Sequence, residues 1–150
     1  MHVDAKPLAA YPWYVRLFFL RQKRNYGRVL EPGMLWARSP LVFCGLALFY
    51  GALNRRRSPV DPALRSLVTV RVSQINHCAF CVDINAATLA RRGVSDEKIA
   101  ALADWRDSDL FDPRERLALD LAEAMTITDR RVDAALIAAL RDHFDEDGLV

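Results

Sequence analysis

What this chain has little of narrows its chemistry first. Only three cysteines and three histidines occur in 150 residues. That is too sparse for the even, dense disulfide framework of a small secreted scaffold. Charge of one sign is not in excess: 21 Lys and Arg stand against 19 Asp and Glu, a formal net charge of +2. No electrostatic case for nucleic acid follows. The single basic run, Arg55-Arg56-Arg57, sits beside Ser58 and Pro59 and reads as a solvated loop, with a phosphate or lipid contact as the lesser alternative. Long hydrophobic runs are missing too. The longest, residues 41–53, contains Cys44, Gly45 and Gly51. As a helix it rises about 20 Å against about 30 Å of bilayer core. It therefore reads as a buried helix, not a membrane span. No secretory leader is visible: the apolar stretch 13–20 is broken by Arg16 and lacks a small-residue cleavage site. These absences together suggest a reducing, cytoplasmic setting, with two cysteines in a motif and Cys44 left over as a core residue.

What is there is the balance of a folded protein, 52% apolar and 27% charged. The length favours one compact domain, read as a helical extension over residues 1–57 and a core over 58–150. Pro12 can sit in a first helical turn, Trp13, Leu17 and Leu20 follow at helical spacing, and Gly27 suits the end. A membrane-surface role for this aromatic and basic segment is the lesser alternative to packing. Glu31-Pro32-Gly33 is a turn signal, and Ser39-Pro40 opens the apolar helix. Asp61-Pro62 is a cap and first-turn pair. Residues 68–73 alternate like a strand, yet Leu64, Leu67, Val68, Arg71, Val72 and Ile75 mark one helical face. With no clear partner strand elsewhere, helix is favoured. Residues 78–92 read as a helix stopped by Gly93, and Ser95 caps the next. Asp112-Pro113-Arg114-Glu115 is a capping box, with Leu117, Leu121, Ala124 and Met125 as the inner face that follows. Thr128 is the expected cap of the last helix, striped by Val132, Ala135, Leu136, Ala139 and Leu140, and residues 145–148 break it. The fold class is all-α.

The informative stretch is Gln74-Ile75-Asn76-His77-Cys78-Ala79-Phe80-Cys81-Val82-Asp83. Two cysteines three apart at a helix start can approach closely enough to bond. Free amides and the positive end of the dipole stabilise a thiolate there. The thiolate is the nucleophile, so this placement promotes peroxide attack and disulfide exchange. His77 adjoins the pair, either as a donor or simply as a turn residue. Two other readings stay open. A zinc site would have to recruit Cys44 with His77 or His143, since no second pair exists. An inert buried pair is the other.

At these residues the chain resembles the alkylhydroperoxidase D-like, or carboxymuconolactone decarboxylase, family. The resemblance runs from about Pro62 to Thr128. It is carried by Leu67-Val68, Arg71-Val72-Ser73-Gln74-Ile75-Asn76, the cysteine pair with Val82-Asp83, Ala90-Arg91-Arg92-Gly93-Val94, residues 101–106 and residues 111–116. It implies an alkylhydroperoxidase D-like helical fold, assembled as trimers or hexamers, with no cofactor and no metal. It implies a hydroperoxide or disulfide substrate and a thiol reductant protein or small dithiol. In the peroxidase branch the second cysteine attacks peroxide and the first resolves, which puts those roles on Cys81 and Cys78. That branch has a glutamate twelve residues before the first cysteine and a histidine four after the second. Ser66 and Asn85 stand there instead, and neither titrates near neutral pH. Asp83 lies about 200° around the helix from Cys81. The decarboxylase branch lacks the cysteine pair. The expectation is a cysteine-dependent peroxidase or thiol–disulfide oxidoreductase. The alternatives are a non-catalytic oligomeric redox sensor and decarboxylase-type chemistry on a small lactone. Family members usually continue with one more helix where this chain stops.

Overall fold

Proline, aspartate and glycine punctuate the chain into helices. The computed structural model describes residues 3–55 and 57–149; Arg56, in the middle of the basic run, lies outside the described residues. Among them no strand occurs. The backbone divides into two compact units, Met1–Arg55 and Arg56–Val150.

In the first unit Pro12 precedes helix α1 (Trp13–Tyr26) as its N-cap, and Gly27, at φ 73°, ends it in the left-handed region that glycine adopts without steric cost. The expected turn at Glu31-Pro32-Gly33 is instead the start of a short helix, α2 (Glu31–Trp36). Proline fits a first helical turn and the glutamate carboxylate sits at the positive end of the dipole, so the same residues serve a helix. Helix α3 (Pro40–Leu53) follows Ser39 as expected. Its burial does not. Of its residues only Phe43 is buried, while Leu41 and Leu48 are 85% and 76% exposed. The unit's core is small: Tyr11, Val15, Phe19, Ala37 and Phe43. It is knit by edge-on rings, Tyr11 to Phe19 at 5.4 Å and Phe19 to Phe43 at 5.6 Å between centroids. The Tyr11 hydroxyl donates to the Met34 carbonyl at 2.8 Å.

The second unit holds the longer core. Helix α4 (Pro62–Ile75) settles the strand–helix ambiguity: the Asp61 carboxylate accepts from the amides of Ala63 and Leu64, and Leu64, Leu67 and Val70 are buried at helical spacing. Helix α5 (Ala79–Arg91) packs along α4 and is followed by Gly93 at φ 89°. Ser95 caps α6 (Asp96–Ala101), which tightens into a 3₁₀ segment (Leu102–Asp107). Asp112 and Glu115 form the anticipated capping box of α7 (Pro113–Thr126), which also packs on α4. Its inner face centres on Leu119, Ala122, Glu123 and Ala124, with Leu117 and Leu121 at the edge. Met125 points outward, 74% exposed. The last full helix, α8 (Ala134–Arg141), is capped by Asp133 rather than Thr128, so Val132 precedes it and is exposed. Aspartate is the stronger cap, and it reaches the Leu136 amide at 2.8 Å. Where a break was expected, Asp145 accepts from the Gly148 amide at 2.8 Å and starts a one-turn helix, α9 (Glu146–Leu149). Leu67, Leu89, Leu102, Leu119 and Leu140 are almost wholly buried, each worth about 1.5–3 kcal/mol of burial. Among the described residues no helix is long and apolar enough to cross a membrane.

Candidate functional site

The site is built where α4 hands over to α5. Helix α4 closes in a Schellman arrangement: the His77 amide donates to the Gln74 carbonyl at 3.0 Å, and the Cys78 amide to the Ser73 carbonyl at 3.1 Å. His77 takes the left-handed position at φ 52°, where glycine is usual and histidine is among the side chains that tolerate it. This reversal makes Cys78 the last residue of one cap and the first of the next. Cys78 is the N-cap of α5; its sulfur accepts from the Cys81 amide at 3.3 Å, and its carbonyl accepts from Val82 at 2.9 Å. The two sulfurs are bonded, with Cα atoms 5.2 Å apart. Both cysteines are half-buried and His77 is exposed. Cys44 is a free cysteine, half-buried on α3.

Ser66 and Asn85 are both on the packed α4–α5 pair. The buried Ser66 hydroxyl accepts from Arg92 at 2.7 Å, and Arg92 also donates to the Pro62 carbonyl. The Asn85 amide donates to the Ser73 hydroxyl at 3.4 Å, which itself donates to the Thr69 carbonyl at 2.7 Å. These side chains tie the two helices together. The structure therefore joins Cys78 to Cys81 and sets His77 beside them, while Ser66 and Asn85 have other partners. Asp83 is exposed. Among the described residues, no three His, Cys, Asp or Glu side chains converge as ligands for a metal ion.

One polar centre was not foreseen. Glu123 on α7 is only 4% exposed, yet four donors converge on it. Arg71 from α4 reaches Oε1 at 2.6 Å, Trp105 Nε1 reaches Oε1 at 2.9 Å, and Arg106 and Arg130 reach Oε2 at 2.7 and 2.6 Å. Burial by itself would raise this carboxyl's pKa; the hydrogen bonds from Trp105, Arg71 and Arg106, with the Arg71 charge, outweigh it and hold the pKa at about 2. The available signal was a lone acid between Ala122 and Ala124 on the inner stripe. Nothing in its spacing named the arginines.

The helices and the bonded cysteine pair at the start of a packed helix have the architecture of the alkylhydroperoxidase D-like proteins this chain resembles. The chain belongs to the carboxymuconolactone decarboxylase family, whose model matches residues 40–124. That match reaches upstream of Pro62, where the sequence motifs begin, and takes in α3. The chain is 46% identical over 143 residues to the uncharacterized protein YnjA of Escherichia coli (strain K12), covering 95% of this chain and 79% of that one. Among solved structures, it resembles an alkylhydroperoxidase AhpD core, an uncharacterized peroxidase-related protein from Ralstonia eutropha JMP134. The TM-score is 0.84 at 25% identity, over 97% of this chain and 76% of that one. A peroxidase-related protein from Silicibacter sp. TM1040 shares the fold at TM-score 0.84 and 21% identity, over 99% and 83% of the two chains.

Proposed function

We propose that this protein is a cysteine-dependent oxidoreductase that cycles the Cys78–Cys81 pair between dithiol and disulfide, reducing a hydroperoxide or a disulfide and being restored by a dithiol. The supporting observation is the bonded pair at the N-terminus of a 13-residue helix, neither sulfur sealed in the core. The helix end favours the thiolate over the thiol, and the proximity of the second sulfur makes closure fast. A neutral Ser66 and Asn85, each engaged elsewhere, supply no proton relay, so the balance tips toward disulfide exchange over peroxide reduction. The same two residues favour, as a second reading, a redox sensor whose assembly changes with the state of the pair. Self-association as a homo-oligomer belongs to either reading, because it would cover the apolar side chains that α3 leaves in water.

The test is direct. Of three cysteines, one thiol should titrate in the oxidised protein and all of them after reduction. With a dithiol reductant, purified protein should consume a small disulfide faster than an organic hydroperoxide, and Cys78→Ser combined with Cys81→Ser should abolish turnover of both. Wild-type turnover no greater than that of the variant lacking both cysteines would reject the enzyme and leave the sensor, which a change of solution mass on reduction would then have to support.

A further inference from the structure

We infer that in disulfide exchange Cys78 is the attacking sulfur and Cys81 the resolving one, the reverse of the order that the family resemblance implies for peroxide. The inference rests on the proposed reading that the pair is redox-active, and adds the direction in which it works.

Two observations carry it. Cys78 stands at the N-cap, and its sulfur already accepts the Cys81 amide proton at 3.3 Å. A thiolate left there after reduction keeps that donor and faces the positive end of the helix. Cys81 occupies the third helical position, and its amide is committed to its neighbour's sulfur. Second, the cap does not depend on the sulfur–sulfur bond. Cys78 donates from its amide to Ser73 and accepts at its carbonyl from Val82, at 3.1 and 2.9 Å. These backbone contacts hold the residue from both sides and do not pass through the disulfide.

The chemistry balances without further reactants. The Cys78 thiolate attacks one sulfur of a substrate disulfide; the substrate's sulfur–sulfur bond breaks and its other half leaves as a thiolate. The Cys81 thiol gives its proton to that leaving group or to water. As a thiolate it attacks the Cys78 sulfur, and the second half of the substrate departs with the electron pair. The substrate gains two electrons and two protons, one from each cysteine, directly or through water, and ends as two thiols; the protein ends with the bond seen between Cys78 and Cys81.

The experiment uses two full-length variants on a Cys44→Ser background, so that each carries one thiol. Cys81→Ser retains Cys78; Cys78→Ser retains Cys81 and keeps an oxygen able to cap α5. Circular dichroism confirms that both fold. Alkylation by iodoacetamide is followed against pH, and a small aromatic disulfide is added to trap the mixed disulfide. The thiol of Cys81→Ser should show an alkylation midpoint lower by at least about one pH unit, in the direction of helix-terminal thiolates. It should also trap the reagent several-fold faster at neutral pH. Equal midpoints, or faster reaction in Cys78→Ser, overturn the order even if the wild-type protein turns over. A wild-type protein that never turns over but shows this order leaves the assignment standing and rejects only the catalytic reading.

Discussion

The two units of this chain reach helices by different means. In the second, each of the helices α4 to α8 begins on a side chain that accepts a backbone amide: Asp61, Cys78, Ser95, Asp112 and Asp133. In the first, α1, α2 and α3 begin at Pro12, Leu30 and Ser39 with no side-chain cap bond. The second unit buries a contiguous leucine-rich core; the first buries a few aromatic rings and leaves much of α3 in water. A cap is a local device that specifies where a helix starts whatever surrounds it. An exposed apolar face has no such local explanation and awaits a covering surface.

Substitutions at the two kinds of leucine test this contrast most strongly. Leu119→Ala should cost about 2–5 kcal/mol in denaturant unfolding, because the side chain is wholly buried in the second unit. Leu48→Ser should move unfolding by no more than about 0.5 kcal/mol, because the side chain is in water. If self-association covers α3, it should also lower the solution mass measured by sedimentation. A large loss from Leu48→Ser with no change in mass would break the contrast.

Next comes the buried carboxylate, which binds three helical segments of the second unit and, among the described residues, has no counterpart in the first. Glu123→Gln should cost about 1.5–3 kcal/mol, the range for hydrogen bonds to a charged group. The sign with pH follows from its depressed pKa. The folded protein holds the carboxyl at about 2 against an ordinary 4.5, so its contribution is complete above pH 4.5. It fades as pH falls through 2, below which both states are protonated. The stability difference between wild type and Glu123→Gln should therefore shrink as unfolding is measured from pH 6 down to pH 3. A gap that stays constant would show that the charge is not what matters.

The smallest effect sharpens the comparison of caps. Asp112→Ala should cost about 1 kcal/mol, since the Asp112 carboxylate accepts from the Glu115 amide at 2.8 Å. Ser39→Ala should cost much less, because the Ser39 side chain makes no cap bond. Equal losses in thermal unfolding would show that the first unit is held by local devices after all.

Legibility tracked the same division. Helix starts at Asp61, Ser95 and Asp112 could be read from the chain, because cap, proline and acid act within one turn. The mistakes fell where a local signal was shared or overridden. Glu31-Pro32-Gly33 suits a turn and a helix start equally, and Asp133 outcompeted Thr128 as a cap. Met125 looked inward by spacing, but Leu119 and Ala122 set the buried stripe one step around the helix. At the candidate site, the cysteine pair and its helix-start position were visible as a motif. His77 was legible as a turn residue; its left-handed backbone, which makes Cys78 the cap, was not, since histidine at that position carries no glycine flag.

Sequence alone determined the all-α class, the cysteine spacing and most helix starts, because these depend on side chains and amides a few residues apart. Tertiary structure decided what each face meets. It exposed α3, drew Arg71, Trp105, Arg106 and Arg130 onto Glu123, and engaged Ser66 and Asn85 with Arg92 and Ser73. Burial and long-range ion pairing join residues far apart along the chain, and no local pattern encodes which partners will meet.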